Sequence, residues 1–114
     1  MSPEEFDAAC KGLLGAARDI QWGGEYVYKV GGRMFAVTRP GAGGFSLKVS
    51  EIAFEALTAS GRAIPAPYLA RAGWVRFADM ANEDAEEIAA LLSQAHALIA
   101  ARLTRAKRRE LGFD

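Results

Sequence analysis

The sequence predicts an α+β domain arranged as a two-layer sandwich, an antiparallel sheet with helices on one face. Three observations carry this reading. Residues 45–49 alternate cleanly, with Phe45, Leu47 and Val49 on one side and Ser46 and Lys48 on the other, which marks a strand with one buried face. Gly31-Gly32 stands between two runs of β-branched and aromatic residues, a hairpin signal that forces antiparallel pairing. Apolar residues at helical spacing recur before, between and after the strand-rich stretches, so helices separate from a meander rather than alternating with single strands. At 114 residues the chain fits one domain, 1–114, with a basic C-terminal tail at about 104–114. A chain of this size buries about two-thirds of its unfolded surface and needs no staples.

The elements follow in order. Ser2 can cap, Pro3 suits a first helical position, and Glu5 completes a capping box. Phe6, Ala9, Cys10, Leu13 and Leu14 then predict a helix over about 3–15, stopped at Gly15. Strands are expected at 26–30, 34–39 and 45–49, the last two joined by the glycine-rich turn 40–44. Ser50 caps a second helix whose stripe is Ile52, Ala53, Ala56 and Leu57, ended by Gly61. Pro65 and Pro67 interrupt regular pairing over 62–73 and leave room for a short edge strand. Residues 74–77 form the last strand. A long helix from Asn82 to about Ala106 closes the chain, with Ile88, Leu91, Leu92, Ala95, Leu98, Ile99 and Leu103 as its core stripe.

Composition removes several function classes. Fourteen basic and fourteen acidic residues cancel, and 51% of the chain is hydrophobic, so neither a disordered chain nor a strongly basic nucleic-acid binder is expected. The single cysteine, Cys10, excludes an internal disulfide and leaves a cysteine-based zinc site without ligands. The acidic start M-S-P-E-E-F-D is unlike a signal peptide, and no apolar run reaches the roughly 18 residues of a membrane span. A cytoplasmic protein with no membrane contact is the expectation.

No catalytic pattern stands out, and we expect neither enzyme activity, nor a cofactor, nor a small-molecule substrate. His96, the only histidine, borders the stripe of the third helix, and Cys10 lies on the buried side of the first, so neither is expected to bind metal. Asp79, Glu83, Asp84, Glu86 and Glu87 gather where the third helix begins, and Arg102, Arg105, Lys107, Arg108 and Arg109 where it ends, as the helix dipole favours. That basic tail is also a candidate phosphate contact.

The sheet carries the imbalance of charge. Nine basic residues against four acidic ones fall between Lys11 and Arg76. Alternation places Lys29, Lys48, Trp74 and Arg76 opposite the core-facing residues of their strands. A sheet face carrying cations and an aromatic plane suits nucleic acid, with Lys29, Lys48, Arg71 and Arg76 on phosphate and Trp74 or Tyr68 stacking. A protein-interaction or chaperone-like module is the alternative. Ala89, Ala90, Ser93, Ala97, Ala100 and Ala101 give the third helix a face of small residues where a second copy or another protein could dock.

Trp22-Gly23, the run from Tyr28 to Ala36 (Y-K-V-G-G-R-M-F-A), Ser46-Leu47-Lys48, Ala66-Pro67-Tyr68 and Gly73-Trp74-Val75 resemble, in order and spacing, the MmcQ/YjbR family. The capped first helix and the long final helix resemble it too. The residues carried by the resemblance are Trp22, Lys29, Phe35, Lys48, Tyr68 and Trp74; Gly23-Gly24-Glu25 departs from the usual small polar or proline-containing stretch. The resemblance implies a bacterial cytosolic protein, a fold of order α-β(3)-α-β(2)-α related to secretion chaperones, and a DNA-binding label that rests on the fold. It supplies no catalytic residue.

Overall fold

Local signals set the first helix. The Ser2 hydroxyl accepts from the Glu5 amide at 3.1 Å and the Glu5 carboxylate accepts from the Ser2 amide at 2.8 Å, a closed capping box at the start of α1 (Pro3–Lys11). Phe6 and Cys10 form its buried stripe. The helix stops earlier than the expected residue 15. The chain turns at Gly15 and enters a strand absent from the sequence reading, β1 (Ala16–Gln21). Its residues, A-A-R-D-I-Q, include few β-formers. Pairing with its neighbour over six residue pairs, not propensity, makes it a strand.

The computed structural model describes residues 1–113. The further strands are β2 (Glu25–Val30), β3 (Arg33–Thr38), β4 (Phe45–Lys48), β5 (Ile64–Pro65) and β6 (Trp74–Phe77). They form one sheet in the order β1-β2-β3-β4-β6-β5, antiparallel throughout. In β3, Tyr28 pairs with Ala36 while Lys29 pairs with Met34, so Phe35 is an extra residue. This bulge turns both Phe35 and Ala36 into the core.

The remaining helices are α2 (Glu51–Ala59), capped by Ser50, and α3 (Ala85–Ala100) and α4 (Arg105–Leu111). In α2 the half-buried and buried side is Ala53, Phe54 and Leu57; Ile52, expected in the stripe, is 83% exposed. The last helix departs from expectation at both ends. Asp84, not Asn82, caps α3, accepting from the Glu87 amide at 2.9 Å, while residues 80–82 make a separate 3-10 turn. The helix then breaks after Ala100, and the Thr104 hydroxyl recaps α4 by accepting from the Lys107 amide at 3.1 Å. Leu103 lies in the break and packs against Gly31 of the β2–β3 turn. The expected basic tail is therefore a short capped helix.

One core joins the layers. Phe6, Tyr28, Phe45, Leu47, Val75, Phe77, Ile88 and Leu92 are buried together, with Phe45 stacked on Phe77 at 4.9 Å and crossed edge-on by Phe6 at 5.2 Å. No helix is long and apolar enough to cross a membrane among the described residues.

Candidate nucleic-acid interface

The sheet face away from the helices is ordered by register. One row of cross-strand partners, Asp19, Val27, Val37, Ser46, Arg76 and Ile64, crosses all six strands. Lys48 pairs with Trp74 one residue pair outside the core row, and Lys29 pairs with Met34. Alternation thus places Lys29, Lys48, Trp74 and Arg76 on the expected face. Their availability differs from the expectation.

Trp74 is only 3% exposed and offers no stacking surface. The segment between β5 and β6 loops back to its backbone: the Ala66 amide donates to the Trp74 carbonyl at 3.0 Å, and the Trp74 amide to the Leu69 carbonyl at 3.2 Å. Lys48 is committed to the same segment, its ammonium donating to the Ala72 carbonyl at 2.6 Å. Burial, then the nearby Arg102 charge, lowers its pKa. Lys29 is paired with Asp19 at 3.0 Å. Three of the six expected contacts are therefore occupied by the fold itself.

Of the other three, Tyr68 and Arg76 come together, and Arg71 stands on the neighbouring turn. Arg76 is half-buried beside Gly44, whose missing side chain leaves room for the guanidinium. Arg71 is exposed on the 3-10 turn Ala70–Ala72. Neither forms an ion pair among the described residues. Tyr68 is fully exposed. Tyr68 and Arg76 line a cleft of about 510 Å³ whose floor and walls include Met34, Val37, Ser46 and Leu69. The opposite contribution comes from the β1–β2 turn, where Trp22 is 59% exposed, and from Arg39, which pairs with Glu25 at 3.5 Å. Trp22 and Arg39 were not among the expected site residues. The signal for Trp22 is legible in hindsight: a tryptophan directly before Gly23-Gly24, among polar neighbours, has no core to enter.

None of the basic residues of α4 lines this cleft. Arg108 donates to the Ala100 carbonyl at 2.8 Å and lies over Phe113, closing the end of α3, while Lys107 pairs with Glu110 at 3.3 Å. Arg105 and Arg109 are exposed. On α3, Ala90, Ser93, Ala97 and Ala101 are exposed, whereas Ala89 is half-buried and Ala100 is buried beneath the small-residue face.

The titratable groups on the helix side are structural. His96 is buried, donating from Nε2 to the Leu14 carbonyl at 2.7 Å and standing edge-on to Phe35. Burial and the nearby Asp7 charge push the Cys10 thiol above its ordinary pKa, which favours its neutral form. Asp79 and Asp84 cap turns, and Glu83 and Glu87 clamp Arg62. A second cavity of about 770 Å³ opens between α1 and the ends of β1–β3. Its polar floor is self-satisfied: Asp7 accepts from Tyr28 at 2.7 Å and Arg18 at 3.0 Å and pairs with Lys11 at 3.2 Å, with Arg18 stacked on Tyr26.

Comparison with known proteins agrees with this architecture. Curated proteins give no match to the sequence. The crystal structure of the Deinococcus radiodurans protein DR2400, a domain of the DUF419 family, is similar with a TM-score of 0.84 and 26% identity, covering 97% of this chain and 88% of that one. A model of the YjbR family matches residues 11–98, which span β1 to most of α3 and include the whole sheet. The chain belongs to the YjbR family.

Proposed function

We propose that this protein is a non-catalytic, cytoplasmic DNA-binding member of its family, and that it binds through the sheet-face cleft. The observation that carries the reading is Arg76, a cation without a carboxylate partner among the described residues, in one cleft with exposed Trp22 and Tyr68 on the face that the helices leave open, with Arg71 exposed on the neighbouring 3-10 turn. Cations for phosphate and aromatic planes for bases are the two ingredients of such a surface. With a net charge of zero, affinity is modest and electrostatic.

The test is a fluorescence-anisotropy titration of labelled oligonucleotides at two salt concentrations. Affinity should fall with a log–log slope of roughly −0.7 per phosphate contacted on single strands or −0.9 on duplex. Arg76→Glu with Arg71→Glu should weaken all sequences about equally and flatten that slope. Unchanged binding by the double variant refutes the site.

The competing reading, a protein-interaction module, rests on the exposed small residues of α3. It expects a dimer in sedimentation that Ala97→Glu converts to monomer.

A further inference from the structure

Trp22 and Tyr68 are the only non-glycine residues with positive φ among the described residues, at 50° and 66°. For a bulky side chain this is an uncommon backbone state, disfavoured by contact between Cβ and the following peptide. In the β1–β2 turn the Gly24 amide donates to the Gln21 carbonyl at 3.1 Å, and Trp22 and Gly23 both have positive φ, the pattern in which asparagine or glycine is favoured at the first central position. Neither aromatic is compensated by burial, since Trp22 is 59% exposed and Tyr68 fully so. Folding therefore explains neither residue. Backbone strain that packing does not repay points toward a site of function.

Both residues line the same cleft, one from the β1–β2 turn and one from the segment between β5 and β6. Between them lie Met34, Val37 and Leu69, a surface suited to a flat apolar face, with the Arg76 cation alongside. The volume, about 510 Å³, is that of a small-molecule site rather than a groove for a double helix. Stacking on an aromatic side chain requires a base whose face is free, and a paired duplex presents only base edges.

We infer that Trp22 and Tyr68 are the stacking platforms of a single-strand site, and that the cleft takes unstacked bases rather than duplex DNA. This rests on the nucleic-acid reading above and narrows it. Arg76 contacts a backbone phosphate in the cleft, exposed Arg71 one beyond it, and the two aromatics hold successive bases. Sequence preference is weak, because every base offers a π face.

Trp22 provides its own probe, since it is exposed while Trp74 is buried. Oligothymidylate should quench Trp22 emission and bind roughly tenfold or more tightly than a duplex of equal length at the same salt. An abasic oligonucleotide of that length should bind like the duplex. Trp22→Asn and Tyr68→Asn each suit a positive φ, so their urea midpoints should match or exceed that of the parent while oligothymidylate affinity falls roughly tenfold. Equal binding of single strand, abasic strand and duplex, or unchanged affinity in both Asn variants, overturns the inference and leaves the arginine-based DNA reading standing. Binding of neither DNA form at low salt removes both. Quenching of Trp22 by an aromatic-rich peptide in the absence of any DNA binding makes the occupant a protein segment instead.

Discussion

Trp74→Ala separates the structural role of that residue from the stacking role its strand position suggests. At 3% exposure Trp74 hides almost all of its side chain. An aromatic of this class buries roughly 150–250 Å², and at about 25 cal/mol per Å² the transfer contribution is roughly 4–6 kcal/mol. The unfolded chain already hides part of that area, which lowers the figure. The expected loss is therefore about 3–5 kcal/mol, the range of buried tryptophan truncations. The residue also anchors the segment that carries Tyr68 and Arg71, through its backbone bonds to Ala66 and Leu69 at 3.0 and 3.2 Å. Unfolding in urea followed by far-ultraviolet circular dichroism measures the first effect, and oligothymidylate titration measures the second. Trp74→Phe keeps most of the packing, so its loss should be roughly 1–2 kcal/mol. Its affinity should stay within about twofold of the parent, inside the ±0.5 kcal/mol scatter of neutral substitutions. A Trp74→Ala protein with an unchanged urea midpoint and lost binding refutes the reasoning, because the side chain would then be touching the ligand.

Three further outcomes follow from the packing. A Cβ at Gly31, which has φ 58°, would come within 2.7 Å of the Leu103 methyl groups. Gly31→Ala should lose roughly 2–5 kcal/mol, from the left-handed backbone and from overpacking. Adding Leu103→Ala should recover the steric part in a double-mutant cycle; a loss under about 1 kcal/mol, or simple additivity, counts against the contact. Burial alone would raise the pKa of Asp7, but the Tyr28 hydroxyl, Lys11 and Arg18 outweigh it and hold the carboxyl below its ordinary value. A lowered folded-state pKa contributes stability that is present above the unfolded value near about 4 and is lost as the pH falls through the folded value. Urea midpoints should therefore decline in acid, and Asp7→Asn should flatten that decline. Tyr28→Phe, which removes the 2.7 Å bond, should weaken the fold by roughly 1.5–3 kcal/mol at neutral pH.

The sequence alone determined what depends on neighbours along the chain. The capping box of Ser2 and Glu5, the Gly31-Gly32 turn and the alternation of 45–49 are local chemistry, and each appears where its residues require it. Their succession is enough to place helices on one face of an antiparallel sheet. The face assignment of Lys48, Trp74 and Arg76 was legible for the same reason, since a strand's period is two. Tertiary structure decided what depends on partners distant in sequence. β1 is a strand because β2 offers its free edge, despite a poor β composition. The final helix breaks after Ala100 because Leu103 is drawn into the β2–β3 turn and Thr104 can start a new one. Whether a cation is available is likewise a long-range matter. Lys29 meets Asp19 on the adjacent strand and Lys48 meets Ala72, 24 residues away, so both are occupied, while Arg76 is left open beside Gly44. Trp74 is tied through its backbone to the segment that leaves the sheet after Pro65 and loops back to it at Ala66 and Leu69. Trp22 and Tyr68 stand out only when backbone angle and exposure are known together. A sequence names the side chain, but the fold sets the φ at which it is held and what lies beside it.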